Sequence, residues 1–98
     1  MTVNVQKDGT KLTIAAAGKL GTTAAPELEK AVKHNISGVT ELVFDFAQLE
    51  YMASAGLRVL LSSAKVMKKQ GTMVLKNVPE IVRNVLSVTG LLDFFTIE

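Results

Sequence analysis

The 98-residue chain contains no cysteine, no tryptophan and a single histidine, His34. Without cysteine there is neither a disulfide framework nor a thiolate metal site. One histidine leaves only carboxylates to complete a zinc site, at spacings that do not suit it, so no metal and no cofactor are expected. Aromatic residues make up 5% of the chain, and no basic run is interleaved with stacking side chains, which argues against direct nucleic-acid binding. Apolar runs are only a few residues long, far short of a membrane span, and the N-terminus MTVNVQKDGTKL lacks the apolar core of a signal peptide. A cytoplasmic protein without membrane insertion is expected.

What is present is aliphatic. Hydrophobic residues account for 48% of the chain and charged ones for 20%, a balance that folds rather than one that stays disordered. Ninety-eight residues suffice for one domain spanning 1–98 and leave no length for a second core. The formal charge is +2, with Lys65, Lys68 and Lys69 as its densest group, at the end of a predicted helix where cations suit the dipole.

Two short alternating runs, near 2–6 and 11–17, flank Asp8-Gly9 and read as a β-hairpin. In GTTAAPELEKAVKHNISG, Thr22 or Thr23 is placed to cap a helix and Pro26 to sit in its first turn. Leu28, Ala31, Val32 and Ile36 form its apolar stripe, and Gly38 closes it. TELVFDF, residues 40–46, reads as a buried strand. A helix over 54–70 follows, with Leu57, Leu60, Leu61, Ala64 and Met67 on one face, then a strand over 72–77 parallel to 40–46. A third helix begins at Pro79, turning Ile81, Val82, Val85 and Leu86 inward, and LLDFFTIE ends the chain as a helical turn and edge strand. The expected fold is α/β, with a mixed sheet of about five strands packed by three to four helices in the order β-β-α-β-α-β-α-β.

One hydroxyl stands out. In EYMASAGLRVLL, Ser54 lies between alanines at the start of the 54–70 helix. MASAG has a passing likeness to the nucleophile elbow G-x-S-x-G, but its first glycine is Met52 and no general base is at hand, so a hydrolase is not expected. Nor does GKLGTT have the spacing of a phosphate-binding loop, which leaves nucleotide sensing at a helix N-terminus as a minor reading. Two readings of Ser54 stay open. Its oxygen could cap the helix by accepting from the amide of Gly56 or Leu57, for about 1 kcal/mol. It could equally accept a phosphoryl group, whose charge of about −1.5 to −2 would roughly cancel the formal charge of the chain.

FDFAQLEYMASAGLRVLL resembles the signature of the anti-sigma factor antagonists, the STAS domain family, written D-L-x-x-V-x-F-[MI]-D-S-S-G-L. Asp45, Leu49, Tyr51, Met52, Ser54, Gly56 and Leu57 fall on it in register. GKLGTTAAPELEKAV looks like the family's G-x-L-D-x-x-x-A-x-x-L segment, and the likeness extends over essentially the whole chain. The resemblance implies a non-enzymatic regulator acting by partner switching in transcription. An unmodified antagonist binds an anti-sigma factor that is itself a serine kinase, releasing a sigma factor. The kinase phosphorylates the serine matching Ser54 and so weakens binding, and a serine phosphatase reverses the step. Weak homodimerisation is allowed for.

The implied partner surface comprises Gly21, Thr22, Thr23, Tyr51, Met52, Ala53, Ser54, Ala55, Gly56, Leu57 and Arg58, with Thr22 and Thr23 as fallback acceptors. Two positions depart from the family pattern: Ala53 stands where an acid precedes the serine, and Gly21 replaces the aspartate of G-x-L-D. Loss of two negative charges points either to a different partner or to a domain that binds without efficient phosphorylation. The alternative function is a constitutive scaffold subunit of a signalling or transport complex, in which Ser54 serves only as a cap.

Overall fold

The computed structural model describes residues 1–98 and begins with a β-hairpin. Strand β1 (Thr2–Asp8) pairs antiparallel with β2 (Lys11–Leu20) along its whole length, from Thr2↔Ala17 to Asp8↔Lys11. Helix α1 (Ala25–Asn35), strand β3 (Glu41–Asp45), strand β4 (Leu49–Met52), helix α2 (Ser54–Gln70), strand β5 (Thr72–Lys76), helix α3 (Glu80–Val88) and strand β6 (Thr96–Ile97) follow. The sheet order is β1-β2-β3-β5-β6, with β4 paired to β2, and every pairing except β1–β2 is parallel.

The mixed α/β sheet and its three helices match the expectation, including the parallel β3–β5 pair joined through α2. The sheet has six strands rather than about five because β4 also pairs. Its four residues run buried, exposed, exposed, buried, without the alternation that marks a strand in sequence. No fourth helix forms: residues 92–94 make a turn before β6.

Alternation does hold along β2, while β3 is buried at three successive residues, Leu42, Val43 and Phe44. Leu12, Ile14, Ala16, Leu42, Phe44 and Leu75 turn to the helices and are essentially inaccessible. Leu28 and Val32 of α1 and Leu57, Leu60 and Met67 of α2 close over them in one cluster, while Ile36, Leu61 and Ala64 line its margin half-buried and Ala31 is half-buried without joining it. Helix α3 contributes Val82 and Leu86. Ile81, expected to face inward, is 47% exposed. Nine residues of helix bury only a narrow stripe against β4, and Ile81 falls to its solvent side.

The strand that positions β4 is β2. Its first half pairs with β3 and its last three residues with β4, and the register shifts between Gly18 and Lys19. Gly18 takes φ +95°, a left-handed conformation that a side chain would strain, and so lets one strand serve two neighbours. The β3–β4 turn is held by Asp45, whose Oδ1 accepts from the Ala47 amide (3.0 Å) and from Asn77 Nδ2 (3.1 Å). The aspartate that opens the signature stretch is therefore a turn-former. No helix is long and apolar enough to cross a membrane.

Candidate functional site at the start of helix α2

Strand β4 runs beside the end of β2 and delivers the chain into α2, with the Ala53 amide donating to the Leu20 carbonyl at 2.9 Å. Two chain crossings therefore meet at one point: the β4–α2 junction and the 21–24 loop that leaves β2. Ala53 is the N-cap of α2, with extended backbone (φ −96°, ψ 172°) and no side-chain cap. Ser54 is the first residue of the helix proper.

That register overturns the capping reading of Ser54. A cap oxygen must project from the residue before the first turn, and here that residue is alanine. Ser54 is exposed, and none of the side-chain hydrogen bonds of the chain involves its hydroxyl. The same holds for the Thr22 and Thr23 capping expectation. The N-cap of α1 is Ala24, with no side-chain cap, and both threonines lie exposed in the loop. Pro26 does occupy the first turn.

The other candidate residues divide by depth. Tyr51 is 45% exposed, and Arg58 is open on the helix one turn beyond Ser54. Gly21, Ala53 and Ala55 are half-buried. Met52, Gly56 and Leu57 face inward, so they shape the site from below rather than present a surface. Gly56 is required by packing: a Cβ there would lie 2.8 Å from the Leu20 side chain and 3.1 Å from Met52 Cγ. A larger residue would push the first turn of α2, and Ser54 with it, off the sheet.

A groove of about 360 Å³ runs between α1 and α2, lined by Thr22, Ala25, Pro26, Glu29, Ala55, Arg58, Val59 and Ser62. A second depression joins Lys19, Gly21, Thr22, Thr23 and Glu27 to Tyr51. Sequence reasoning found Arg58, Thr22 and Tyr51 from the signature and its neighbouring loop. It missed Lys19, Glu29 and Ser62, which reach this region from β2, α1 and the next turn of α2 and carry no local motif.

The geometry offers an accessible alcohol with no base beside it. His34 is on the last turn of α1, the opposite end of that helix from the 21–24 loop. No three acidic or histidine side chains group as a metal site would require. Such a hydroxyl is a poor nucleophile on its own and a reachable target for another protein's active centre.

A model of the STAS domain matches residues 2–98. BtrV of Bordetella bronchiseptica, assigned as an anti-sigma factor antagonist, is 31% identical over 99 residues, covering 99% of this chain and 85% of that protein. The crystal structure of an anti-sigma factor antagonist from Mycobacterium paratuberculosis superposes with a TM-score of 0.88 at 23% identity, over 98% of this chain and 83% of the other. SpoIIAA, a Bacillus cell fate determinant solved in its phosphorylated form, has a TM-score of 0.78 at 20% identity, over 99% of this chain and 91% of that one. At these identities the two structures establish the fold alone.

Proposed function

The chain belongs to the STAS domain family, and from that premise we propose that it is a cytoplasmic anti-sigma factor antagonist switched by phosphorylation of Ser54. In the unmodified state the β4–α2 junction and the 21–24 loop dock on an anti-sigma factor with serine kinase activity, freeing a sigma factor. Ser54, Tyr51 and Arg58, with Thr22 and Thr23, form the contact. The kinase transfers the γ-phosphoryl group of ATP to Ser54 Oγ: an O–P bond forms, the bond to the β-phosphate breaks, and ADP and the hydroxyl proton leave. A serine phosphatase hydrolyses the ester and restores the antagonist.

The observation that carries this reading is the position of the Ser54 hydroxyl, exposed, uncommitted and in the first turn of a helix. A dianion there meets the positive end of the helix dipole, so the fold tolerates it. The change is felt at the docking surface, where about −1.5 to −2 charges appear on a chain whose formal charge is +2. The protein's role is that of substrate and switch.

The test uses ATP and the candidate kinase encoded in the same genome. Mass spectrometry should find one phosphoryl group on Ser54, none on Ser54→Ala, and kinase binding should fall in Ser54→Asp. An unmodified Ser54 together with wild-type affinity for Ser54→Asp would overturn the switch.

Ala53 and Gly21, which replace two acids of the family pattern, favour a second reading, a constitutive scaffold subunit. Size-exclusion chromatography separates the two. A scaffold keeps the same partner stoichiometry with Ser54→Ala and after incubation with kinase and ATP, whereas a switch releases its partner.

A further inference from the structure

Arg58 follows Ser54 by four residues on α2, and both side chains are exposed. Residues so spaced share one helix face, with Cβ atoms roughly 5–6 Å apart. The guanidinium has no ionic partner, since the two salt bridges of the chain join Lys11 to Glu41 and Lys33 to Glu29. Glu29, the carboxylate lining the same groove, is engaged by Lys33 at 2.9 Å. A planar cation able to bind a phosphate with two parallel N–H donors thus stands unpaired one helical turn from the acceptor hydroxyl.

Building on the reading of Ser54 as the acceptor, we propose that Arg58 holds the phosphoryl group in cis, as a guanidinium–phosphate pair along α2. Modification then does two things to the docking surface at once. It adds a dianion, and it withdraws the cation that the unmodified surface offers to a partner. The pair gives the modified state a defined structure in place of a freely solvated charge. It also separates phosphoserine from aspartate, whose shorter and singly charged group reaches the guanidinium less well.

Phosphoserine installed at position 54 of the full chain during translation tests the pair by phosphorus NMR across a pH titration. An ordinary phosphoserine has its second pKa near about 6. Wild type should titrate roughly half a pH unit below Arg58→Gln, as expected for an exposed ion pair. Arg58→Lys, which keeps the charge and loses the fork, should fall between them. Arg58→Gln combined with Ser62→Arg returns the charge one turn further along the groove and should behave like Arg58→Gln alone. Lys19, Glu27, Glu29, Glu50, Glu80 and Arg83, on α1 and β4 and on β2 and α3 that pack against β4, are common to all four proteins and cancel.

Equal midpoints for wild type and Arg58→Gln would overturn the pair. Full recovery by Ser62→Arg would overturn it as well, by showing a general effect of net charge. Because translation supplies the phosphoserine, the result is independent of any kinase. A Ser54 that no kinase modifies defeats the proposed switch and leaves the midpoint difference as expected.

Discussion

Gly56 and Leu20 meet so closely that a methyl group on the glycine would sit 2.8 Å from both Cγ and Cδ2 of the leucine. Leu20 has no exposed surface and Met52 only 2%, so neither can swing aside into solvent. Gly56→Ala therefore sets two effects against each other. Alanine gains about 1 kcal/mol in helix propensity. Overpacking a filled core costs about 1–3 kcal/mol. The packing cost prevails, and thermal unfolding should show a net loss of about 1 kcal/mol, or roughly 4–8 °C in Tm for a domain of this size. Gly21→Ala is the control. With no left-handed backbone and nothing within 4 Å of where a Cβ would sit, it should not lower Tm.

Gln70 joins the end of α2 to the loop between α1 and β3. Its Nε2 donates to the Ile36 carbonyl at 2.8 Å and to the Val39 carbonyl at 2.6 Å, across more than thirty residues of chain. Gln70→Ala leaves both acceptors without this donor and should cost about 1–3 kcal/mol in a denaturant titration. Gln70→Glu should cost more at neutral pH, because a carboxylate would face two carbonyl oxygens. If alanine and glutamate variants unfold with the wild type, the bridge carries no stability.

Tyr51 is the exposed aromatic nearest the candidate acceptor and makes no side-chain hydrogen bond. Tyr51→Ala should shift unfolding free energy by no more than about 0.5 kcal/mol. At a docking surface, a tyrosine commonly carries about 2 kcal/mol of binding, close to a thirtyfold loss of affinity. Calorimetry with the proposed anti-sigma factor partner and a melt of the isolated protein report the two quantities separately. A stable variant with unchanged affinity would place the interface elsewhere.

The sequence made the frame legible where one period dominated. The 3.6-residue stripes of α1 and α2 and the alternation in β2 follow directly from burial on one side, and all three emerge in place. Strand β4 was hidden because it is short and held at both ends, by the Asp45 turn and by the Ala53–Leu20 hydrogen bond, and neither constraint is local in sequence. Ile81 misled because apolarity marks a face only if another element arrives to cover it. The exposed hydroxyl of Ser54 could be picked out from the motif. Its helical register could not: Ala53 as N-cap and Ser54 as first helical residue differ by one position, and that position decides whether the oxygen is committed to the backbone.

The same register gives Ala53 an energetic meaning beyond missing charge. Its backbone is already extended as a cap requires, and no side chain reaches the amides of the first turn of α2. Ala53→Asp should therefore stabilise the protein by about 0.5–2 kcal/mol, raising Tm by several degrees. A capping carboxylate has its folded pKa depressed below the unfolded value of about 3.9, so the gain is present above that pH and fades as pH falls through the folded pKa. Gly21→Asp adds the other acid of the family pattern in open space, where it caps nothing and should leave Tm unchanged. Comparing the two variants for affinity to the proposed kinase partner separates the roles of the acids. Equal gains from both would mean that the partner reads negative charge around Ser54. A gain from Ala53→Asp alone would mean that the partner needs the first turn of α2 held firm, and that this chain meets its partner with that turn loosened. No gain from either would show that the partner of this chain has dispensed with both acids.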